Sequence, residues 1–137
     1  MLGSTGSVGS NTVELLALYP DRYRVEALVA NGNIAKLAEQ ARLLRPRVAV
    51  TADASRYEEL KAALEGTDTE VAAGPQAVVE AAARPADWVM ASIVGAAGLA
   101  PTLAAIRRGA TVAFANKEVL VCAGELVMAE VRRHGAT

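Results

Sequence analysis

Aromatic side chains make up only 4% of the 137 residues, cysteine and histidine occur once each, and no stretch carries charge of a single sign. Each scarcity excludes something. With 14 basic against 15 acidic residues and a formal charge of -1, the chain offers neither the basic face nor the stacking side chains that hold nucleic acid, and nothing to draw it to an anionic membrane. The single cysteine, Cys122, permits no intrachain disulfide. Its place in Val119-Leu120-Val121-Cys122-Ala123 predicts a buried, inert thiol with no metal-ligand cluster around it. Long apolar runs are missing too. The longest, Trp88 to Leu103, is broken by Ser92, Gly95, Gly98 and Pro101, and the N-terminus lacks a basic region followed by an apolar one. The composition therefore reads as a cytoplasmic protein with a small-molecule partner. At 53% hydrophobic it has material for the core of one domain, not two.

What the chain has is rhythm. Short apolar runs alternate with longer amphipathic ones, the pattern of βαβ units and a parallel sheet covered on both faces. Strands are predicted at Arg24–Ala30, Arg47–Thr51, Glu70–Ala73, Asp87–Val94 and Thr111–Ala115. Helices are predicted at Val8–Leu18, Ile34–Leu44, Ala54–Leu64, Gln76–Ala83, Leu99–Arg108 and Lys117–Arg133, stopped by Pro20, Pro46, Gly66, Pro85, Gly109 and Gly135. No repeat or linker interrupts the series.

The first helix is preceded by Gly3-Ser-Thr-Gly-Ser-Val-Gly9, three glycines at intervals of three. Glycines let a backbone turn sharply and approach a ligand, and a helix start presents unpaired N–H groups to an anion. The segment reads as a cradle for a nucleotide diphosphate in a Rossmann-like, doubly wound α/β fold. Its spacing differs from the common Gly-x-Gly-x-x-Gly fingerprint, and an ordinary capping turn accounts for the same residues. Only Met1-Leu2 precedes the loop, so the central first strand is expected to be truncated and the loop loosened. The chain likewise ends at Thr137, where a βαβ pattern would return to the sheet, and reads as a piece of something longer.

Ligands of open α/β sheets bind at the carboxyl ends of the strands. After the first predicted strand comes Asn31-Gly32-Asn33, where an NAD-preferring domain places an acid for the ribose hydroxyls; Glu26 lies inside the strand, not at its tip. The absence leans toward NADP, although a bland turn and helix cap fit as well. Ser92 to Gly98 allows close backbone approach, to a ligand or to a packed helix. In Asn116-Lys117-Glu118 the first residue suits a cap and the third a first turn. Lys117 puts a cation where a helix dipole disfavours it by roughly 0.3–1 kcal/mol, a conflict that an anionic ligand would resolve. Tyr57-x-x-x-Lys61 matches the pair of short-chain dehydrogenases but falls in a packing stripe with Leu60 and Leu64. His134, with Arg132 and Arg133, reads as a helix C-terminal cap.

These segments carry a resemblance. Leu2 to Gly9, Val25 to Ala30 with Asn33, Ala91 to Leu99 through Pro101-Thr-Leu-Ala-Ala-Ile106, and Ala115 to Val121 are similar to the N-terminal, NADPH-binding domain of the 1-deoxy-D-xylulose 5-phosphate reductoisomerase family. The resemblance implies that Thr5, Gly6, Ser7 and Val8 hold the NADPH pyrophosphate and that Asn31, Gly32 and Asn33 lie beside the adenosine ribose phosphate. Asn116 and Glu118 would contact the cofactor near its nicotinamide half, and Lys117 the sugar phosphate substrate. It further implies a homodimeric enzyme that converts 1-deoxy-D-xylulose 5-phosphate to 2-C-methyl-D-erythritol 4-phosphate for non-mevalonate isoprenoid synthesis. The chemistry implied is rearrangement on a divalent metal, magnesium or manganese, followed by hydride transfer from NADPH.

Three departures stand out. Gly32 replaces a longer polar or basic side chain, Val119 replaces a serine, and the acidic metal ligands, in an Asp-Ser-Glu segment and beyond, have no counterpart. Residues 1–137 are thus expected to bind cofactor and to catalyse nothing alone. A free-standing nucleotide-binding or sensing module, or another NADP-dependent reductase, remains an alternative.

Overall fold

A computed structural model describes residues 1–137. Five parallel strands, β1 (Ala27–Ala30), β2 (Val48–Thr51), β3 (Glu70–Ala73), β4 (Trp88–Ala91) and β5 (Thr111–Phe114), alternate with six helices. These are α1 (Ser7–Ala17), α2 (Ile34–Leu44), α3 (Tyr57–Ala63), α4 (Pro75–Ala83), α5 (Leu99–Arg107) and α6 (Glu118–His134). β1 pairs with β2 and β2 with β3, all parallel, and β4 pairs with β5. Leu2 closes the gap between the two groups by single parallel bridges to Val29 and to Ala91. The order across the sheet is therefore β3-β2-β1-Leu2-β4-β5, a doubly wound arrangement whose central strand is one residue long.

Hydrogen bonding on both sides holds this short centre. Leu2 N–H donates to Met90 O at 2.9 Å, Ser92 N–H to Leu2 O at 2.9 Å, Val29 N–H to Met1 O at 3.0 Å, and the Met1 amine to Ala27 O at 2.6 Å. Met1 as a residue is only partly buried, but its amine is enclosed, and desolvation pushes its pKa down to about 5.

All of β1 and β2 is buried, as expected of strands covered on both faces. On one face Leu28, Ala30 and Ala49 meet Ile34, Leu37, Ala38 and Ala41 of α2 and Leu60 of α3. On the other, Val29, Val50, Val89 and Val112 meet Val78 and Ala82 of α4, Leu103 and Ile106 of α5, and Val127 of α6. Strand residues alternate between the two cores with period two.

The predicted boundaries shift where tertiary contacts decide. α2 and β3 stand as expected, and β1, β2, β4 and β5 are shorter. Residues 54–64 divide into a 3-10 turn, Ala54–Arg56, and then α3, because the Asp53 carboxylate accepts from Ser55 N–H at 3.0 Å and caps the turn. α6 is kinked at Ala123 (φ -140°, ψ 27°). After Gly135 the chain returns to the sheet: Val112 N–H donates to Thr137 O at 2.7 Å and Thr137 N–H to Ala110 O at 3.3 Å.

Candidate functional site

The glycine loop leaves the sheet at Leu2 and enters α1 at Ser7. Gly3 and Ser4 both donate their N–H groups to Val29 O, at 2.9 and 2.8 Å, which folds the loop back over the tip of β1. Gly3 has φ +85°, and a Cβ there would lie 2.8 Å from the Ser92 carbonyl carbon; a Cβ at Gly9 would lie 2.2 Å from Gly3 O. Both positions demand glycine for the protein's own sake. Gly6 is different: its φ is -70° and a Cβ would meet nothing nearer than Gly3 O at 3.6 Å. As the N-cap it provides no side-chain cap, and the N–H groups of Ser7, Val8 and Gly9 have no backbone acceptor. Gly6, Ser7 and Val8 are exposed and Thr5 is half-buried. Open space over uncapped amides at a helix start is what a pyrophosphate fits.

Asn31, Gly32 and Asn33 follow β1 at the same edge. The Asn33 side chain accepts from Lys36 N–H at 3.2 Å and caps α2, while Asn31 O accepts from the Thr51 hydroxyl and from Asp53 N–H. Arg56 Nη1 donates to Gly32 O. No acid stands here: Glu26 sits at the opposite end of the sheet, paired with Arg84 at 2.8 Å and Arg47 at 3.4 Å.

Asn116, Lys117 and Glu118 follow β5. Asn116 is buried; its Nδ2 donates to Ile93 O and its Oδ1 accepts from Glu118 N–H at 2.9 Å, so it locks the start of α6 to the loop after β4. Lys117, exposed and in no ion pair, occupies the N-cap position of α6 beside exposed Glu118. Ser92, in turn, donates its hydroxyl to Leu2 O at 2.7 Å and to Gly3 O at 3.1 Å. The loops after Leu2, β4 and β5 are thereby tied into one edge, with the loops after β1 and β2 alongside. Gly98 in the Ser92–Gly98 segment answers to packing: a Cβ would sit 2.8 Å from Ile93 O and 3.5 Å from the buried Val119 side chain.

Three residues of this edge carry no motif. Gln40, buried on α2, donates to Ser4 O at 2.9 Å and fixes the glycine loop from below, where Ser4 Oγ and Gln40 Oε1 have no protein partner. Ser92 lies within a segment singled out for its glycines. Arg56 has only its place after β2, at the carboxyl edge, to mark it.

Other candidates lie elsewhere. Tyr57 and Lys61 stack on α3 with the ammonium 5.8 Å from the ring centre. His134 Nδ1 lies 3.1 Å from Glu130 O, in the last turn of α6 with Arg132 and Arg133. Cys122 corrects the expectation of a buried thiol: it is exposed, because only Val119 and, in part, Ala123 of that apolar run face the core. No group of three His, Cys, Asp or Glu side chains comes together to hold a metal ion, and no helix is long and apolar enough to cross a membrane.

Known proteins match the chain along its length. The family profile described as 1-deoxy-D-xylulose 5-phosphate reductoisomerase covers residues 1–124. The protein of that name from Rhodospirillum centenum is 75% identical over 137 residues, 100% of this chain and 34% of its own length. The Zymomonas mobilis reductoisomerase solved in complex with NADPH superposes with a TM-score of 0.98 at 54% identity, covering 99% of this chain and 36% of that one. A DOX-P reductoisomerase solved with NADPH, fosmidomycin and magnesium gives 0.94 at 40% identity, with 99% and 34% covered. The chain thus spans about a third of the length of these relatives. Since the match runs unbroken from Met1 through the glycine loop and the Val-Gly-Ala-Ala-Gly segment to the Asn-Lys-Glu turn, the chain belongs to the 1-deoxy-D-xylulose 5-phosphate reductoisomerase family.

Proposed function

We propose that residues 1–137 are the NADPH-binding domain of an enzyme converting 1-deoxy-D-xylulose 5-phosphate to 2-C-methyl-D-erythritol 4-phosphate, a homodimer of the cytoplasm in its complete form. The observation that carries this reading is the uncapped amide cradle of Ser7, Val8 and Gly9, left open by Gly6 before it. There the N–H groups bind the pyrophosphate, and the absence of a side chain on Gly6 lets the anion reach them. Thr5 borders the same anion. Asn31, Gly32 and Asn33 take the adenosine ribose and its phosphate at the tip of β1, and Glu118, held by Asn116, lies toward the nicotinamide half. Bound NADPH supplies a hydride, and the edge fixes its pose relative to substrate. Lys117, in no ion pair within the chain, reaches the sugar phosphate substrate. Magnesium accompanies NADPH in a solved relative, whereas no group of three His, Cys, Asp or Glu side chains within residues 1–137 comes together to hold such an ion.

The test is calorimetric titration of the chain with NADPH and, separately, NADH, in the wild type and in Lys117→Ala. Saturable binding tighter for NADPH, with Lys117→Ala within about twofold, is expected. A folded chain that binds neither nucleotide refutes the reading.

A further inference from the structure

The tip of β1 is where a dinucleotide-binding sheet distinguishes a ribose 2′-hydroxyl from a 2′-phosphate, by an acid for the first or a nearby arginine for the second. Here the turn itself offers neither. Asn31 stands in the acid's place, Gly32 has no side chain, and the Asn33 side-chain oxygen is used in capping α2. The cation beside this turn comes instead from the next loop. The 3-10 turn after β2 carries Arg56 across to Gly32, where Nη1 donates to Gly32 O and lies 3.6 Å from the point a Cβ at position 32 would occupy. Arg56 thus covers the surface that a side chain at position 32 would have covered.

The guanidinium is held, not free. Its Nε and Nη2 both reach the Glu59 carboxylate at 2.8 Å in a fork, one turn along the chain. This fixes the plane of the group and leaves further N–H donors on the Nη1 and Nη2 ends unengaged. The side chain is 38% exposed, so an anion at the turn can reach those donors. Two carboxylates flank the arginine and temper its charge. Glu59 occupies the Nε–Nη2 edge, and the Asp53 carboxylate is spent on Ser55, accepting from its N–H at 3.0 Å and its hydroxyl at 2.6 Å. Neither replaces the missing acid beside Asn31.

We propose that Arg56, presented by the turn after β2 and steadied by Glu59, recognises the ribose 2′-phosphate and sets the preference for NADPH over NADH. The inference rests on the cofactor reading above. It makes cofactor preference a property of two loops acting together, with Gly32 leaving room and Arg56 filling it.

Calorimetric titration of wild-type, Arg56→Gln and Arg56→Lys chains with NADPH, NADH, 2′,5′-ADP and 5′-ADP tests this. Charge-assisted hydrogen bonds of this kind correspond to about 10- to 100-fold in Kd. Arg56→Gln should weaken NADPH and 2′,5′-ADP by that factor while leaving NADH and 5′-ADP within about twofold. Arg56→Lys, which keeps charge but loses the fork, should fall between. Unchanged affinity for the 2′-phosphorylated ligands, or equal weakening of all four, overturns the assignment, the latter making Arg56 a mere brace for the Gly32 turn. If the folded wild type binds neither NADPH nor NADH, the cofactor reading falls and this inference with it. A failure confined to the 2′-phosphate comparison leaves the cofactor reading in place.

Discussion

Two alanine substitutions three residues apart should have opposite consequences. At Gly9 the new Cβ would lie 2.2 Å from Gly3 O and 2.6 Å from Ser4 O. Those carbonyls cannot yield freely, since Ser92 donates to the first and Gln40 to the second, and the amides of both residues are anchored on Val29 O. Overpacking of this kind costs about 1–3 kcal/mol, and each hydrogen bond lost in relieving it about 0.5–1.5 kcal/mol more. Gly9→Ala should therefore destabilise the fold by roughly 2–4 kcal/mol, a large share of the 5–15 kcal/mol typical of a domain. At Gly6 the Cβ has 3.6 Å of clearance and the backbone is in a region any residue adopts. Reduced unfolded-state entropy gains about 0.4–1 kcal/mol and alanine's poorer N-capping offsets it, so stability should move by less than about 1 kcal/mol. Binding should not be spared. A methyl group over the amides of Ser7 and Val8 holds a phosphate out of hydrogen-bond range, and losing one or two charge-assisted bonds corresponds to at least about tenfold in Kd. Urea unfolding followed by circular dichroism gives the first quantity and calorimetry with NADPH the second. Gly6→Ala with wild-type affinity, or Gly9→Ala with an unchanged urea midpoint, would refute the geometry assigned to the loop.

Two further outcomes follow from an ion pair and from the core. Glu130, held below the usual carboxylate value of 4.5 first by its bond to Arg107 at 2.5 Å, contributes stability that is present above its unfolded pKa and is lost as pH falls through the folded one. Urea midpoints should fall as pH drops below 4.5 in the wild type and less so in Glu130→Gln, and identical profiles contradict it. Leu60, fully buried between α3 and α2, should cost about 2–5 kcal/mol on truncation to alanine, measured by the same unfolding assay; a loss under about 1 kcal/mol would mean that α3 is not seated as described.

Elements bounded by local chemistry were legible in the sequence. α2 runs from its Asn33 cap to the Arg45-Pro46 stop as its residues dictate, and β3 sits between Thr69 and Gly74. Where a boundary depends on a neighbour, pattern alone overshoots. The alternation in Arg24-Val25-Glu26 continues a strand on paper, yet Glu26 is drawn into the ion pairs of the lower edge and β1 starts at Ala27. Ile93 and Val94 look like strand, but the chain turns at Gly95 with φ +72°. A continuous apolar run suggests uniform burial of Cys122, whereas a helix turns most of such a run outward: Val121 is 77% exposed two residues from buried Val119. The site's three loops were legible from their position at strand ends. Ser92, Gln40 and Arg56 were not, since their partners lie far along the chain and no local spacing encodes those contacts.

The glycine loop departs from the common fingerprint in its spacing but keeps the division of roles among its glycines. In the common dinucleotide fingerprint the three glycines serve a tight turn, the approach of backbone to pyrophosphate, and close packing of helix against strand. The same division appears here at a different interval. Gly3 makes the turn, with φ +85° and the Ser92 backbone against it; Gly6 leaves the amides open; Gly9 lets α1 pack on the Gly3 and Ser4 carbonyls. The loop is braced from the side, by Val29 O, the Ser92 hydroxyl and the Gln40 amide. Preorganisation of the cradle is therefore a tertiary property, so substitutions at Ser92 or Gln40, remote from the Gly6 amides, should loosen nucleotide binding through the loop before they unfold the sheet.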